Sequence, residues 1–348
     1  MTRLSPPPVR SDPQPFDPAA VCRLTRELAP QIASLPRLSC VVEQFVQHVG
    51  RDTASTVDIA AALSLDPVLH GWVLRQANSG FCKLNRPVAS IAEACVVLGL
   101  GTVTRLVYAA CTRDLLQRRL HCYRYLGNGF WLHGLAVGLA AKHLVELLGT
   151  RAPLGAESAQ VAGLLHDVGK LLLDERLPRA KGPREITVAE EIALAGFDHA
   201  TGSAAVAATW SLPDDLVVAM ATHHGEHPAG GGCVLALADR LVGHWGVGSA
   251  TYPQLDREPP LEDLLTLGHP LVLAEPQISR WCRELPPLFE GLAQMVQAIG
   301  HGTPPALPPG APAPAPSSRA SSRRSQHRSQ RPSRRSSPRV RTRGRGRG

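Results

Sequence analysis

Aromatic side chains are scarce in this sequence of 348 residues, at 4% of the total. Ala, Leu and Val dominate its apolar content, a composition that favours helices over sheets. No alternation of period two persists long enough to require a strand. The eight cysteines (Cys22, Cys40, Cys82, Cys95, Cys111, Cys122, Cys233 and Cys282) form no Cys-x-x-Cys pair, which argues against a zinc ribbon. Most lie among apolar neighbours and read as buried free thiols in a reducing cytoplasm. No secretory pattern opens the chain: residues 1–16 are polar and rich in Pro and Ser, and read as a disordered leader. No uninterrupted apolar run is long enough to span a bilayer, so the expectation is a soluble, cytoplasmic chain without membrane contact. Lysine and acids are missing from the last stretch, Ser317 to Gly348, which holds twelve arginines. Removing that +12 from the net +8 leaves the preceding body at −4, an ordinary mildly acidic globule. The basic balance belongs to the tail, and the body gives no electrostatic sign of nucleic acid.

What is present is helical periodicity with short breaks. Helices are expected over 21–28, 38–49, 56–65, 66–78, 90–98 and 103–116. In the second half they are expected over 130–148, 158–173, 185–195, 199–210, 213–224 and 234–245, with a further pair at 261–267 and 278–299. Asp66-Pro67 supplies a cap and a first-turn proline, and Ser90 to Glu93 has capping-box spacing. Beyond Gly302 the sequence turns to Pro-Ala, then Arg-Ser, then Arg-Gly, which cannot bury a core, so 302–348 should be disordered.

Five of these helical stretches each carry imidazole or carboxylate at an apolar position, where ionisable groups are rarely placed without a partner. They are His133, the pair His166-Asp167, His199, the pair His223-His224, and Asp239. First-row metals are held by such nitrogen and oxygen mixtures. On one helix, His166 and Asp167 diverge by about 100°, so both reach a metal only if it sits against that helix. Lys170 would share the face of His166, placed to meet a phosphate oxygen. Asp167 has two oxygens with which to bridge two ions. A single histidine of this kind is more often a hydrogen-bonded core residue, and His48, His70, His121, His143, His244 and His269 are read that way. Seven such groups in one bundle would instead leave several buried polar atoms needing partners.

Further short motifs occur in a definite order: Ser34-Leu35-Pro36-Arg37-Leu38, Leu65-Asp66-Pro67-Val68-Leu69, Gln76-Ala77-Asn78-Ser79-Gly80-Phe81, Arg86-Pro87-Val88-Ala89-Ser90-Ile91 and Val97-Leu98-Gly99-Leu100. Together with the histidine and aspartate series they resemble the HDOD domain, the HD-related output domain of bacterial signalling proteins. The resemblance spans 30–245 and implies an all-α fold, with an N-terminal helical lobe (30–116) packed on an HD-like bundle (123–245), followed by C-terminal helices over 260–300. It also implies a ligand set: His133, His166, Asp167 and Asp239 for one divalent ion of the Fe, Mn or Zn class, and Asp167, His199, His223 and His224 for a second.

Three functions follow. HDOD domains are regarded as signalling or scaffolding modules, so the leading expectation is an output protein acting through contacts with a signalling partner. The HD relatives that hydrolyse cyclic di-GMP carry Gly-Tyr-Pro after the His-His pair; here His223-His224-Gly225-Glu226-His227-Pro228 runs into Gly230-Gly231-Gly232 instead. The second reading is a dinuclear phosphohydrolase with Lys170 on the phosphate. The third is weak nucleic-acid or acidic-partner binding by the arginine-rich tail, whose arginines favour phosphate but lack interleaved aromatics for base stacking. A helix-turn-helix over 59–75 would offer bases only Arg75 and Gln76, and is set aside.

Overall fold

The computed structural model describes residues 16–36, 63, 67–78, 86–123, 125, 127–178, 186–225, 228, 230–249 and 253–300. Among them there is no β-strand, and the isolated bridge between Tyr125 and Ser249 is the only extended pairing. The helix expected over 38–49, the leader before Phe16 and the tail lie outside the described residues, as does the helix expected over 56–65 apart from Leu63, which is helical and buried.

Helix α1, Pro18–Ser34, starts where the Asp17 carboxylate accepts the Ala19 N–H with Pro18 in the first turn. It buries Val21, Leu24, Leu28 and Ile32, spaced by three and four residues, and is longer than the expected 21–28. Pro30 does not stop it, because that residue lies on the solvent side where water can satisfy the freed carbonyl. The buried face packs on a much later helix, His199–Thr209, so α1 belongs to the later bundle rather than to the helices that follow it.

Helices α2 (Pro67–Ala77), α3 (Ile91–Leu98) and α4 (Leu100–Leu116) pack on one another. Asn78 closes α2 onto the segment before α3: its Oδ1 accepts the Val88 N–H at 2.6 Å and its Nδ2 donates to the Val88 carbonyl at 2.9 Å. Ser90 caps α3 by accepting the Glu93 N–H, as its spacing predicts, while Glu93 reaches back to the Ala89 N–H and to Arg86. Gly99 turns the corner at φ 78°, which lets α4 begin at Leu100, earlier than the expected 103.

The second half wraps around α5, Gly129–Leu148, which is buried on nearly every side. By length and apolarity the segment Gly129–Arg151 could cross a bilayer, yet most of it is buried inside the protein, as core helices are. Its closest neighbour is α6, Ala156–Leu165, and the two backbones meet through Gly138 and Gly163. A Cβ on Gly138 would run into the Gln160 carbonyl, so only glycine permits this crossing. Around this pair lie α7 (Lys170–Asp174), α8 (Val188–Ala195), α9 (His199–Thr209), α10 (Asp214–Thr222) and α11 (Gly231–His244).

Three further helices follow: α12 (Leu261–Gly268), α13 (Glu275–Glu284) and α14 (Pro286–Gly300). The single helix expected over 278–299 is broken at Leu285, because Pro286 and Pro287 supply no N–H to continue α13 and instead open α14. Trp281 on α13 is fully buried and donates its indole N–H to the Ala140 carbonyl of α5 at 3.0 Å. The C-terminal helices are therefore packed into the bundle.

Candidate metal centre

The structure brings all seven expected ligands to one place. His133 comes from α5, His166 and Asp167 from the turn after α6, and His199 from the first position of α9. His223 and His224 follow the end of α10, and Asp239 lies within α11. One ligand atom from each of His133, His166 and Asp167 falls within a 4.8 Å cluster, and so does one from each of His199, His223 and His224. Asp239 Oδ1 joins the first cluster at 3.2 Å from His133 Nε2 and 3.6 Å from His166 Nε2. Asp167 Oδ1 links the two, 3.5 Å from His166 Nε2 and 3.2 Å from His199 Nε2.

The local backbone at the His-Asp pair differs from expectation. The helix read over 158–173 stops at Leu165, and a turn covers 166–169 before α7. Val168 N–H bonds to the Leu165 carbonyl and Lys170 N–H to that of Asp167, so i→i−3 bonds replace the α-helical ladder and tighten the chain. Gly169 explains why the turn can sit there. Its N–H donates to Ser203 Oγ at 2.8 Å, and a Cβ at that position would overlap the His199 carbonyl on α9. The turn thus delivers His166 and Asp167 against α9. It also sets Lys170 on Asp167 rather than in line with His166: Nζ lies 2.6 Å from Asp167 Oδ2 and 3.1 Å from Tyr125 Oη.

Three histidines are aimed by the hydrogen bond at their other nitrogen. His166 Nδ1 donates to the Gly163 carbonyl and His223 Nδ1 to the Met220 carbonyl, each at 2.7 Å and each three residues back. His199 Nδ1 donates to Glu191 at 2.7 Å. That leaves the Nε2 lone pair of each facing the centre. His166 Nε2, His199 Nε2, His223 Nε2 and Asp167 Oδ1 are all buried and have no hydrogen-bond partner. Four unpartnered acceptors pointing at each other are costly in a protein interior, and a divalent cation is the group that satisfies them together. The donor set fits such an ion.

Electrostatics agree with a site built for positive charge. Burial opposes ionisation of Asp167 and Asp239, but the facing histidines, with Lys170 beside Asp167, hold both far below the usual carboxylate range. Burial likewise opposes charge on Lys170, yet Asp167 raises it well above the ordinary lysine value. His166 is pulled up by Asp167 and Asp239 against the effect of its burial. His223 is pushed well down by burial and by its neighbour His224, so its ring stays neutral and fit to be a ligand.

Three contributors escaped the sequence reading. Glu191 on α8 is buried and accepts from the Tyr123 hydroxyl, the His199 N–H and His199 Nδ1. Tyr125 donates to Asp167 Oδ2 at 3.0 Å. Tyr123 and Tyr125 are half of the four tyrosines in the chain, and that clustering was the available signal. Glu191 had none, since its neighbour Glu190 fills the visible capping role with Thr187. A cavity of about 1070 Å³ opens beside the centre, lined by His133, His199, His224 and Asp239 together with Arg240 and Arg257.

A profile of the HDOD domain matches residues 35–226, more than half of the chain. The protein belongs to the HDOD family. Asp239 lies beyond the matched segment, yet this HDOD chain folds it back onto His133. Among solved structures, an HDOD domain protein of unknown function from Geobacter sulfurreducens aligns with a TM-score of 0.54 at 22% identity, over 82% of this chain and 96% of that one. A protein provisionally described as a signal transduction protein, from Marinobacter aquaeolei VT8, aligns at 0.58 and 18% identity, over 81% of this chain and 64% of its own. A provisionally described phosphohydrolase from Shewanella amazonensis SB2B gives 0.51 and 24%, over 82% and 97%. These likenesses establish a shared all-helical fold. An uncharacterized protein of Treponema pallidum (strain Nichols) is 24% identical over 211 residues, which are 58% of this chain and 40% of that relative. The match thus spans well under half the length of that relative.

Proposed function

We propose that this HDOD protein is a signal-transduction output module whose HD-like bundle holds one or two divalent metal ions and whose output is a contact with a partner protein. The observation that carries the reading is the convergence of four buried, unpartnered acceptor atoms from the turn after α6, the start of α9 and the turn after α10. His133, His166, Asp167 and Asp239 would hold one ion, and His199, His223 and His224, sharing Asp167, a second. The chain's own residues do the positioning. The Gly163 and Met220 carbonyls fix two imidazoles, Glu191 fixes a third, and Lys170 with Tyr125 holds Asp167 Oδ2. A relay is favoured because Lys170, the expected phosphate contact, is already engaged by that carboxylate and that hydroxyl.

A metal-dependent phosphohydrolase is the second reading, favoured by the cavity beside the ligands and by Arg240 and Arg257 on its wall. Divalent ions at such a site supply Lewis-acid chemistry to a phosphoester. In that case Lys170 would have to turn part of its charge from Asp167 to the substrate. One experiment separates the two. Purified protein is analysed by plasma mass spectrometry and then assayed on cyclic dinucleotides, nucleotides and a generic phosphodiester, alongside Asp167→Ala. Stoichiometric metal lost in the variant, with no turnover attributable to the wild-type site, is the expected result. Multiple turnover abolished by Asp167→Ala makes the protein a hydrolase, and wild-type protein free of metal removes both readings.

A further inference from the structure

The segment that joins α4 to α5, residues 117–128, runs from the helices α2–α4 into the ligand-bearing half. Its described residues reach into the metal centre at two points. The Tyr125 hydroxyl donates to Asp167 Oδ2 at 3.0 Å while accepting from Lys170 Nζ at 3.1 Å. The Tyr123 hydroxyl donates to Glu191 Oε1 at 2.8 Å, and Glu191 in turn grips both His199 Nδ1 and the His199 backbone N–H. Lys170 Nζ also lies over both rings, 5.2 and 5.4 Å from their centroids. The two contacts serve different clusters, since Asp167 groups with His133 and His166 while His199 groups with His223 and His224.

The arrangement decides which oxygen of Asp167 is open. Tyr125 and Lys170 occupy Oδ2, and Oδ1 is the buried oxygen left without a partner, facing His166 and His199. Without the Tyr125 hydroxyl the carboxylate would lose one of the two donors that fix this rotation. Without the Tyr123 hydroxyl, Glu191 would lose a neutral donor and its hold on His199 would loosen. Elsewhere the connector is tied down by Asp174, whose carboxylate accepts the His121 and Cys122 N–H groups at 2.6 and 2.7 Å. The tyrosines are therefore presented from an anchored backbone.

We propose that Tyr123 and Tyr125 are positioning residues of both metal clusters, and that through them occupancy of the centre sets the order of the 117–128 connector. Coupling of this kind is reciprocal: residues that hold the ligands for the metal are held more firmly once it is bound. The inference rests on the metal-site reading above and adds to it a route by which the centre acts on the N-terminal helices.

The test uses the full chain, stripped of metal and titrated with manganese(II). Affinity is read by calorimetry and connector order by amide exchange of residues 117–128. Wild-type protein should bind manganese and slow exchange in the connector. The double variant Tyr123→Phe/Tyr125→Phe, checked for native helicity by circular dichroism, should bind it about ten- to a hundredfold more weakly. Even when saturated, it should show little slowing in 117–128. Glu191→Gln separates the two arms: it should weaken manganese binding while leaving the Tyr125 contribution to connector protection in place. Manganese uptake that leaves connector exchange unchanged in wild type, or an equal response in the double variant, overturns the coupling and leaves the metal site standing. Failure of wild-type protein to take up manganese, zinc or iron(II) overturns both.

Discussion

Asp167 carries unequal duties on its two oxygens. Oδ2 is engaged by Lys170 and Tyr125, whereas Oδ1 faces two imidazoles without a hydrogen-bond partner. The same inequality recurs in the histidines, where one nitrogen is spent on a carbonyl or carboxylate so that the other stays open. This has a proton cost. Against the effect of its burial, His166 is raised above the ordinary imidazole value near 6.5 by Asp167 and Asp239, so a proton competes with a metal ion for its Nε2. Metal loading near pH 7 should release protons, and affinity should rise with pH until His166 has titrated. Calorimetry in buffers of different ionisation enthalpy measures that release directly, and an affinity that does not fall as the pH is lowered would show that His166 is not a ligand. The residue types at the site were legible because ionisable groups at apolar helical positions stand out. Glu191 was not, because its partner His199 lies eight residues on, across a turn that no periodicity reports.

At the scale of elements, the turn at 166–169 shows where periodicity misleads. Apolar residues continue through Leu171, Leu172 and Leu173, so the sequence reads as one helix although the chain changes its hydrogen bonding at His166. The deciding residue is Gly169, and its reason for being glycine is a backbone from another helix, which local sequence cannot reveal. Gly169→Ala should push the turn away from α9 and reduce metal stoichiometry, with a destabilisation of about 1–3 kcal/mol typical of overpacking. Chemical denaturation and metal analysis of the same preparation check both effects. The C-terminal helices were foreseen as a pair, but their role was not: Trp281 makes α13 part of the wall around α5. Trp281→Ala should cost about 3–5 kcal/mol by leaving a cavity and removing the indole hydrogen bond to the Ala140 carbonyl, seen as a lowered melting temperature. An unchanged melting temperature would mean that α13 is not packed there in solution.

For the whole molecule, charge is divided unevenly along the chain, which lets the expected role of the tail be tested apart from that of the body. The body is mildly acidic, while the segment after residue 316 carries twelve arginines and no acid. Full-length protein should retain nucleic acid on a column at low salt and release it steeply as salt rises, because each arginine–phosphate contact displaces a counterion. A chain truncated after Gly302 should keep its helicity and its metal but lose that retention. Equal retention after truncation would place the basic surface in the body instead. The all-helical architecture was readable from composition and spacing across most of the chain, since each helix carries its own apolar stripe. What could not be read was which stripe meets which, and α1 is the clearest case: its face completes the bundle from the far end of the sequence.

That packing has a consequence for how the protein comes to exist. The apolar face of α1 is synthesised well before its partner helix, which begins at His199. At ordinary translation rates the gap of more than 160 residues takes on the order of ten seconds to make. Throughout that interval Val21, Leu24, Leu28 and Ile32 lack the helix they pack on. Helix α1 therefore reaches its final packing only after the chain has passed Thr209.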